Sequence, residues 1–419
     1  MIATVHLFGR RLQITPELRD HALVTLWILV TFKQFRYDEL ILYPLALYFL
    51  YAFIRDFDRI FDILRRSLFL WFYPTWFMLT LAWGTETGLI LKTNLQLVLT
   101  LVICYCAILR LSSRQIMVSV LIAAGWFGFL SLVTDPGGGI AARGVFSSKN
   151  TLGAAMVMLF TAALCILVDR GAPRLARMVS FVALPVSVHL ILLSDSMTAV
   201  MLALSSLAIV TILTCRSLLN GPALLSTGFL LVAILLLGAM FFAVAIPEAD
   251  PVGYVLGAFG KDGTLTGRTV LWDYAREEIA RHPWLGVGYG GFWTPEDPLS
   301  AARRIYDEFY KAYYAIFSFH STYFEIAVHQ GLIGAGLVIL TAAWAVLQIL
   351  PGALLGRSVG AIYFACVALL NLAHSLTEVV LMVPFKLDFM LFMMGALLAV
   401  KARAEISAAR FYHAEVPVG

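Results

Sequence analysis

Apolar runs follow one another with little interruption from residue 21 to residue 246, give way to a polar stretch over 247–331, and resume from 332 to 400. A helix needs about 20 mostly apolar residues to cross the hydrocarbon of a bilayer. On that measure the chain reads as twelve spans, near 21–35, 38–54, 67–83, 93–110, 115–133, 150–169, 175–193, 197–214, 223–246, 332–350, 357–378 and 382–400. The predicted fold class is an all-α polytopic membrane protein with about 12 transmembrane helices and one large loop between spans nine and ten. Its divisions are 1–246 (spans one to nine), 247–331 (a loop with amphipathic helices), 332–400 (spans ten to twelve) and a tail, 401–419. Span one is the weakest, since its uninterrupted apolar part is only Ala22–Phe32. Its loss would invert every later segment.

Charge tests that order. With the amino terminus in the cytoplasm, the inside segments hold 17 Lys and Arg against 6 in the short outside segments. Long loops weigh little in the positive-inside rule, so the bias supports twelve spans with both termini cytoplasmic and the 247–331 loop outside. The first apolar run has no small-residue cleavage site and reads as a retained span. A composition of 61% hydrophobic and 13% charged residues, with mean hydropathy +0.86, fits a membrane protein. The net charge of +4 belongs to the inside arginines and gives no reason to expect nucleic acid as a partner. The five cysteines lie in or at the ends of spans and read as small core residues, with no disulfide and no metal site.

The polar stretch has a pattern of its own. Asp262–Gly267 is a turn cluster, and behind it Leu271, Trp272, Ala275 and Ile279 recur at helical spacing. The segment Arg268–Arg281 therefore reads as an amphipathic helix outside the hydrocarbon, capped by Thr266 and ended by His282-Pro283. The glycines Gly286, Gly288, Gly290 and Gly291 lack the preceding strand and following Lys-Ser/Thr of a phosphate loop, which leaves a tight turn.

Arg268 stands in a first helical turn, where the dipole disfavours a cation by about 0.3–1 kcal/mol. It is either a solvated arginine or one placed for an anion. His320 opens a second helical run that leads back to the membrane. The positive end of a helix favours the neutral imidazole, the form that accepts a proton as a general base. An interfacial histidine bonded to a neighbouring loop is the other reading. His329 falls about 180° round that helix from His320, which separates the two and gives no zinc-ligand pair.

Other outward groups gather at span ends. Arg143, Lys149 and Asn150 stand at the mouth of span six, and Asp195 lies between Ser194 and Ser196 at the end of span seven. Asn371, His374 and Glu378 share one helical face near the outward end of span eleven. Ionisable groups at a membrane edge are functional candidates, and an interhelical hydrogen-bond network is the alternative for the last three.

Three stretches together resemble the polysaccharide polymerases of the O-antigen ligase superfamily, closest to the bacterial exopolysaccharide-production polymerases. They are Arg143-Gly-Val-Phe-Ser-Ser-Lys149-Asn150-Thr-Leu-Gly153, then Thr266-Gly-Arg268-Thr-Val-Leu-Trp272 running on to Arg281-His-Pro283-Trp-Leu-Gly286-Val-Gly288-Tyr-Gly290, and His320-Ser-Thr-Tyr323-Phe-Glu325 with Gly331-Leu-Ile-Gly334. The resemblance implies an inverting, metal-independent membrane glycosyltransferase without cofactors, set in the bacterial cell inner membrane with a periplasmic active site. Its activity would be the polymerisation of polyprenyl-diphosphate-linked oligosaccharide repeat units into a surface polysaccharide.

The same resemblance implies His320 as the catalytic base and puts Arg268, with Arg143, on the diphosphate. Lys149, Asn150, Tyr323 and Glu325 are further substrate-binding candidates from these stretches. The implied partners are the lipid-linked donor, a glycan acceptor, the bilayer and a chain-length regulator. Two positions depart from the family pattern. Ser321 stands where Asn is usual, and Ser194-Asp195-Ser196 lacks the basic residue that many members carry there.

Span three is aromatic (Phe69, Trp71, Phe72, Tyr73, Trp76, Phe77) and offers either a greasy cleft for the lipid carrier or an interfacial belt. Two alternatives to the polymerase stand. One is a ligase that moves a finished glycan from the same carrier to lipid A-core or another acceptor. The other is a transporter or flippase that performs no reaction; it would spread polar residues through the middles of many spans, whereas here the charges collect at span ends.

Overall fold

The computed structural model describes residues 3–7, 10–33, 35–134, 141–215, 267–356 and 358–415. The expected span 223–246 and most of the Asp262–Gly267 turn lie outside the described residues. A short antiparallel hairpin, β1 (Ala3–Leu7) with β2 (Arg10–Ile14), pairs Ala3 with Ile14 and Leu7 with Arg10. The alternation of Ala3, Val5 and Leu7 with Thr4 and His6 has the period of a strand, so the all-α expectation needs this one correction. Every other described element is helical.

Thr15 caps α1 (Pro16–Phe32), its hydroxyl accepting from the Leu18 amide at 3.2 Å, and Pro16 opens the helix where no amide partner is needed. Next come α2 (Glu39–Arg55), α3 (Phe57–Arg66), α4 (Phe72–Leu79), α5 (Thr87–Arg110), α6 (Ser113–Thr134), α7 (Lys149–Val168), α8 (Arg174–Leu193) and α9 (Met197–Cys215). Beyond these lie α10 (Arg268–Arg281), α11 (Ala301–Glu308), α12 (Thr322–Leu355), α13 (Val359–Ser375) and α14 (Leu387–Glu415).

Among the described residues six helices, α5 to α9 and α12, are long and apolar enough to cross a membrane, or seven if the bent α2–α3 pair forms one span. The chain is thus an α-helical polytopic membrane protein, and a count of twelve goes beyond these helices. The expected limits of spans five to eight coincide with α6 to α9 to within two residues. Span three does not form one rod: Leu68–Trp71 and Thr80–Ala82 are 3-10 turns on either side of α4. The arginine-rich segment between the expected spans two and three is the helix α3, which turns 89° from α2 and buries Ile60 and Ile63 beneath its charged face.

The central helix is α7, packed against α6, α8, α9 and α13. The charges divide between the two ends of the bundle. At one end Arg110, nearly buried, bonds Asp20 at 3.1 Å and also Asp56, tying together the starts and ends of α1, α2 and α5, while Arg114 pairs with Asp169 at 2.6 Å. The opposite end carries the starts of α5 and α7, the α8–α9 turn, α10, α11 and the start of α12. Every residue singled out for chemistry lies there.

Candidate functional site

The α10–α11 lobe has its own apolar core, in which Leu271, Trp272 and Ala275 of α10 meet Phe292, Ala302, Ile305, Phe319 and Val328. The helical stripe read in the sequence is this buried face. Gly267 rather than Thr266 is the N-cap of α10, at φ +81°. Trp272 stacks on Phe324 at 5.6 Å and donates its indole N–H to the Phe319 carbonyl at 2.9 Å.

The lobe is locked to the bundle at a break in α12. Gly331 leaves the helical conformation (φ 69°, ψ −178°), and the Pro283–Gly288 turn takes up the backbone groups this exposes. Val287 N donates to Val328 O at 3.0 Å, Gly288 N to His329 O at 2.8 Å, and Leu332 N to Pro283 O at 2.8 Å. From α4, the Trp76 indole reaches Gln330 O at 3.1 Å. A β-carbon on Gly286 would stand 2.6 Å from Gln330 N, so the close approach itself demands glycine there. The glycine turn is structural, as its sequence suggested. Three aromatics of span three serve as scaffold, since Tyr73 and Phe77 are buried and Trp76 holds the break, while Phe72 is exposed.

His320 is not inside a helix. It precedes the N-cap Ser321 and has φ +50°, an uncommon backbone state for a residue with a side chain. The chain is pinned on both sides of it. Phe319 is fully buried and its amide donates to Glu325 Oε2 at 2.8 Å. Thr322 Oγ1 donates to Glu378 O at 3.0 Å and accepts from Val380 N at 3.0 Å. The imidazole is therefore oriented by a fixed loop and a carboxylate, where the sequence had suggested a helix end.

That carboxylate is Glu378. His320 Nδ1 donates to Glu378 Oε2 at 3.1 Å, and Arg268 Nη2 donates to Glu378 Oε1 at 2.7 Å. The arginine side chain is only 12% exposed, so a solvated surface arginine is excluded. Glu378 stands beyond the end of α13. Burial pushes its carboxyl up, but the hydrogen bond from His320 and the neighbouring Arg268 guanidinium help to outweigh this and hold it below the usual carboxylate range.

The supposed single face of span eleven is thereby divided. Asn371 donates to Asp388 O at 2.7 Å and joins α13 to α14. Only Glu378 reaches His320, and because α13 stops at Ser375 no helical periodicity relates it to Asn371. An acid just past an apolar run was the sole sequence signal for it.

The remaining candidates differ in placement. Asn150, Ser196, Thr198, His374 and Glu378 line one narrow cleft between α7, α9 and α13, so Asn150 joins the site. Past Ala154 and Leu202 the space continues along Val157, Met158 and Leu370. Lys149 at the start of α7 pairs with Asp195 of the α8–α9 turn at 3.0 Å. Arg143 is exposed in the loop before Ser148, the N-cap of α7. Tyr323 accepts from Ser375 Oγ at 3.0 Å, an α12–α13 link.

Glu325 has both oxygens occupied by the scaffold. Besides the Phe319 amide it accepts from the Trp293 indole at 2.9 Å and meets His329 Nε2 at 3.2 Å. His329 Nδ1 in turn donates to Gly288 O at 3.1 Å. His329 is thus coupled to the His320 loop through Glu325 rather than remote from it.

Residues 181–339 match the O-antigen ligase family model, a segment that includes Arg268, His320 and Glu325 but ends before Glu378. The exopolysaccharide production protein ExoQ of Rhizobium meliloti (strain 1021) is 30% identical over 295 residues, which cover 68% of this chain and 65% of that protein. The chain therefore spans just under two thirds of that relative. The chain is thus a multi-pass bacterial membrane protein that is similar to the O-antigen ligase family over residues 181–339 and to an exopolysaccharide production protein over most of its length.

Proposed function

We propose that this chain is a membrane glycosyltransferase that polymerises polyprenyl-diphosphate-linked repeat units into a surface polysaccharide. In this reading it lies in the inner membrane with twelve spans and both termini cytoplasmic, and the Arg268–Glu378–His320 end of the bundle faces the periplasm. The observation that carries the proposal is the meeting of Arg268 and His320 on one partly buried carboxylate.

A carboxylate that accepts the Nδ1–H selects the tautomer whose Nε2 bears the lone pair. Nε2 takes the proton of the acceptor hydroxyl as that oxygen bonds to the donor's anomeric carbon. The bond from this carbon to the diphosphate oxygen breaks on the opposite face, so the configuration inverts and the electron pair leaves on the diphosphate. Arg268 keeps N–H groups beyond the one spent on Glu378, and its planar fork matches phosphate oxygens. A preorganised cation stabilises the leaving charge most where water is excluded. Arg143, Lys149 and Asn150 would line the approach, with Lys149 exchanging Asp195 for a phosphate. The apolar continuation of the cleft along α7 and α13 suits the first units of a prenyl chain. Tyr323 and Glu325 act through the scaffold in this scheme.

The decisive experiment supplies purified protein in nanodiscs with lipid-linked repeat units. A ladder spaced by whole repeats is expected. One transfer to a separate acceptor, without a ladder, would establish the ligase instead, a reading that the O-antigen ligase match favours. Movement of intact substrate across the bilayer without reaction would mean a flippase. In the same assay Arg268→Lys keeps the charge but loses the fork, and should lower the rate about 10²-fold at normal protein level. Arg276, exposed and paired with Asp273, should tolerate alanine. Sidedness is tested separately. A cysteine at Asp297 should react with an impermeant thiol reagent in cells with a permeabilised outer membrane, and one at Arg174 should not; the reverse pattern overturns the topology.

A further inference from the structure

We infer that the turn Tyr310–Ile316 is a stacking platform for the acceptor glycan, a pyranose-binding site beside the Arg268–Glu378–His320 cluster; the inference rests on the glycosyltransferase reading. The turn projects its side chains outward. Tyr310 is 95% exposed and Tyr314 93%. Neither ring contributes to the lobe core, which the flanking Phe309 and Phe317 join instead. Tyr310 also has φ +50°, a conformation that favours glycine or asparagine. Neither backbone preference nor packing accounts for a tyrosine there, which leaves its outward face as the reason.

The turn is held rigid. Tyr306 Oη donates to Ala315 O at 2.6 Å, and Lys311 N donates to Tyr306 O at 2.8 Å. Tyr313 Oη donates to Asp307 Oδ1 at 2.6 Å, and the Arg303 guanidinium lies 4.0 Å over the Tyr313 ring. A preordered surface loses little entropy when a ligand settles on it. The turn also adjoins the site. The Phe317 ring is 6.2 Å from that of His320, and Phe309 packs where a β-carbon on Gly267, next to Arg268, would fall.

The chemistry selects a sugar. One face of a pyranose is a patch of C–H groups, which lies well on the electron-rich face of an aromatic ring. Tyrosine offers a large amphipathic area at low entropic cost, and Asp307, Arg303 and Lys311 around the rings can bond equatorial hydroxyls. Seating the same turn in lipid would strip water from those three charged groups, so a membrane anchor is disfavoured.

The test uses intact protein in nanodiscs, with oligosaccharides of one to a few repeats released from the polysaccharide of the cells that carry the gene. Binding is measured by calorimetry without turnover. Tyr310→Ala/Tyr314→Ala should weaken binding about tenfold, whereas Tyr310→Phe/Tyr314→Phe and the exposed Arg276→Ala should bind as the wild type does. Unchanged binding in the alanine pair, or none in the wild type, overturns the platform. So does strong quenching by brominated lipid of a Tyr314→Trp reporter, which would put the ring in the bilayer. Binding through the tyrosines in a protein that transfers no glycan to any acceptor would sustain the platform and sink the transferase reading. A polymer ladder with tyrosine-independent binding would do the reverse. Because both rings are exposed, the alanine pair should keep the wild-type melting temperature; should it not, Tyr314→Ala alone carries the same comparison.

Discussion

His320→Ala should abolish polymer, with a loss of about 10²–10⁴-fold, while protein level and donor binding stay near wild type. The ring contributes little to the core: it is half-exposed and touches Phe317 at its edge. What the substitution removes is the proton acceptor opposite the Glu378 carboxylate. The backbone at φ +50° is a state that alanine tolerates poorly. His320→Asn answers this, since asparagine enters the left-handed region more readily; it should keep the fold and lose the activity. Glu378→Gln should lose nearly as much. An amide can misorient the imidazole, and it leaves Arg268 without a compensating charge. Long polymer from both His320 variants would remove the base role.

Glu325→Ala should fail differently, by loosening the protein as well as stopping the reaction. The carboxylate joins the Phe319 amide, the Trp293 indole and His329, so its removal strands three partners in a largely buried place. Losing one member of such a buried charged network costs about 3–5 kcal/mol. The melting temperature of the purified protein should fall clearly, and polymer formation with it. His329→Ala should share both defects, because it frees the Gly288 carbonyl and one side of Glu325. A residue that merely touched substrate would lose activity at unchanged melting temperature, and that outcome would overturn the scaffold role.

The sequence was most legible where the pattern is local. Helices α6 to α9 are unbroken apolar runs bounded by arginine, glycine or short polar turns, so their limits could be read directly. The buried stripe Leu271, Trp272 and Ala275 declared itself by its period. Arg268 and His320 stood out by type and motif, but their meeting did not, because it depends on Glu378, 110 and 58 positions away along the chain. Helical phase even grouped Glu378 with Asn371, for the end of α13 at Ser375 has no proline or glycine to announce it. The same distance problem hid the partner of Gly331, since a glycine in an apolar run says nothing of a turn some forty residues earlier that fills the break. Ile60 and Ile63 gave too short an apolar stripe to mark α3 against its arginines.

The filled break in α12 has a consequence for modularity. The lobe and the bundle share backbone partners: Val328, His329 and Leu332 are completed by Pro283, Val287 and Gly288, and Gly288 also rests against Gly84 before α5. Each unmatched buried peptide group would cost about 1–3 kcal/mol. Exchange of this outer region between related proteins, as in making chimeras to trade specificity, must therefore cut inside the tyrosine turn or carry the α12 break along with it. A boundary drawn at the membrane edge, where hydropathy invites it, would divide a single packing unit.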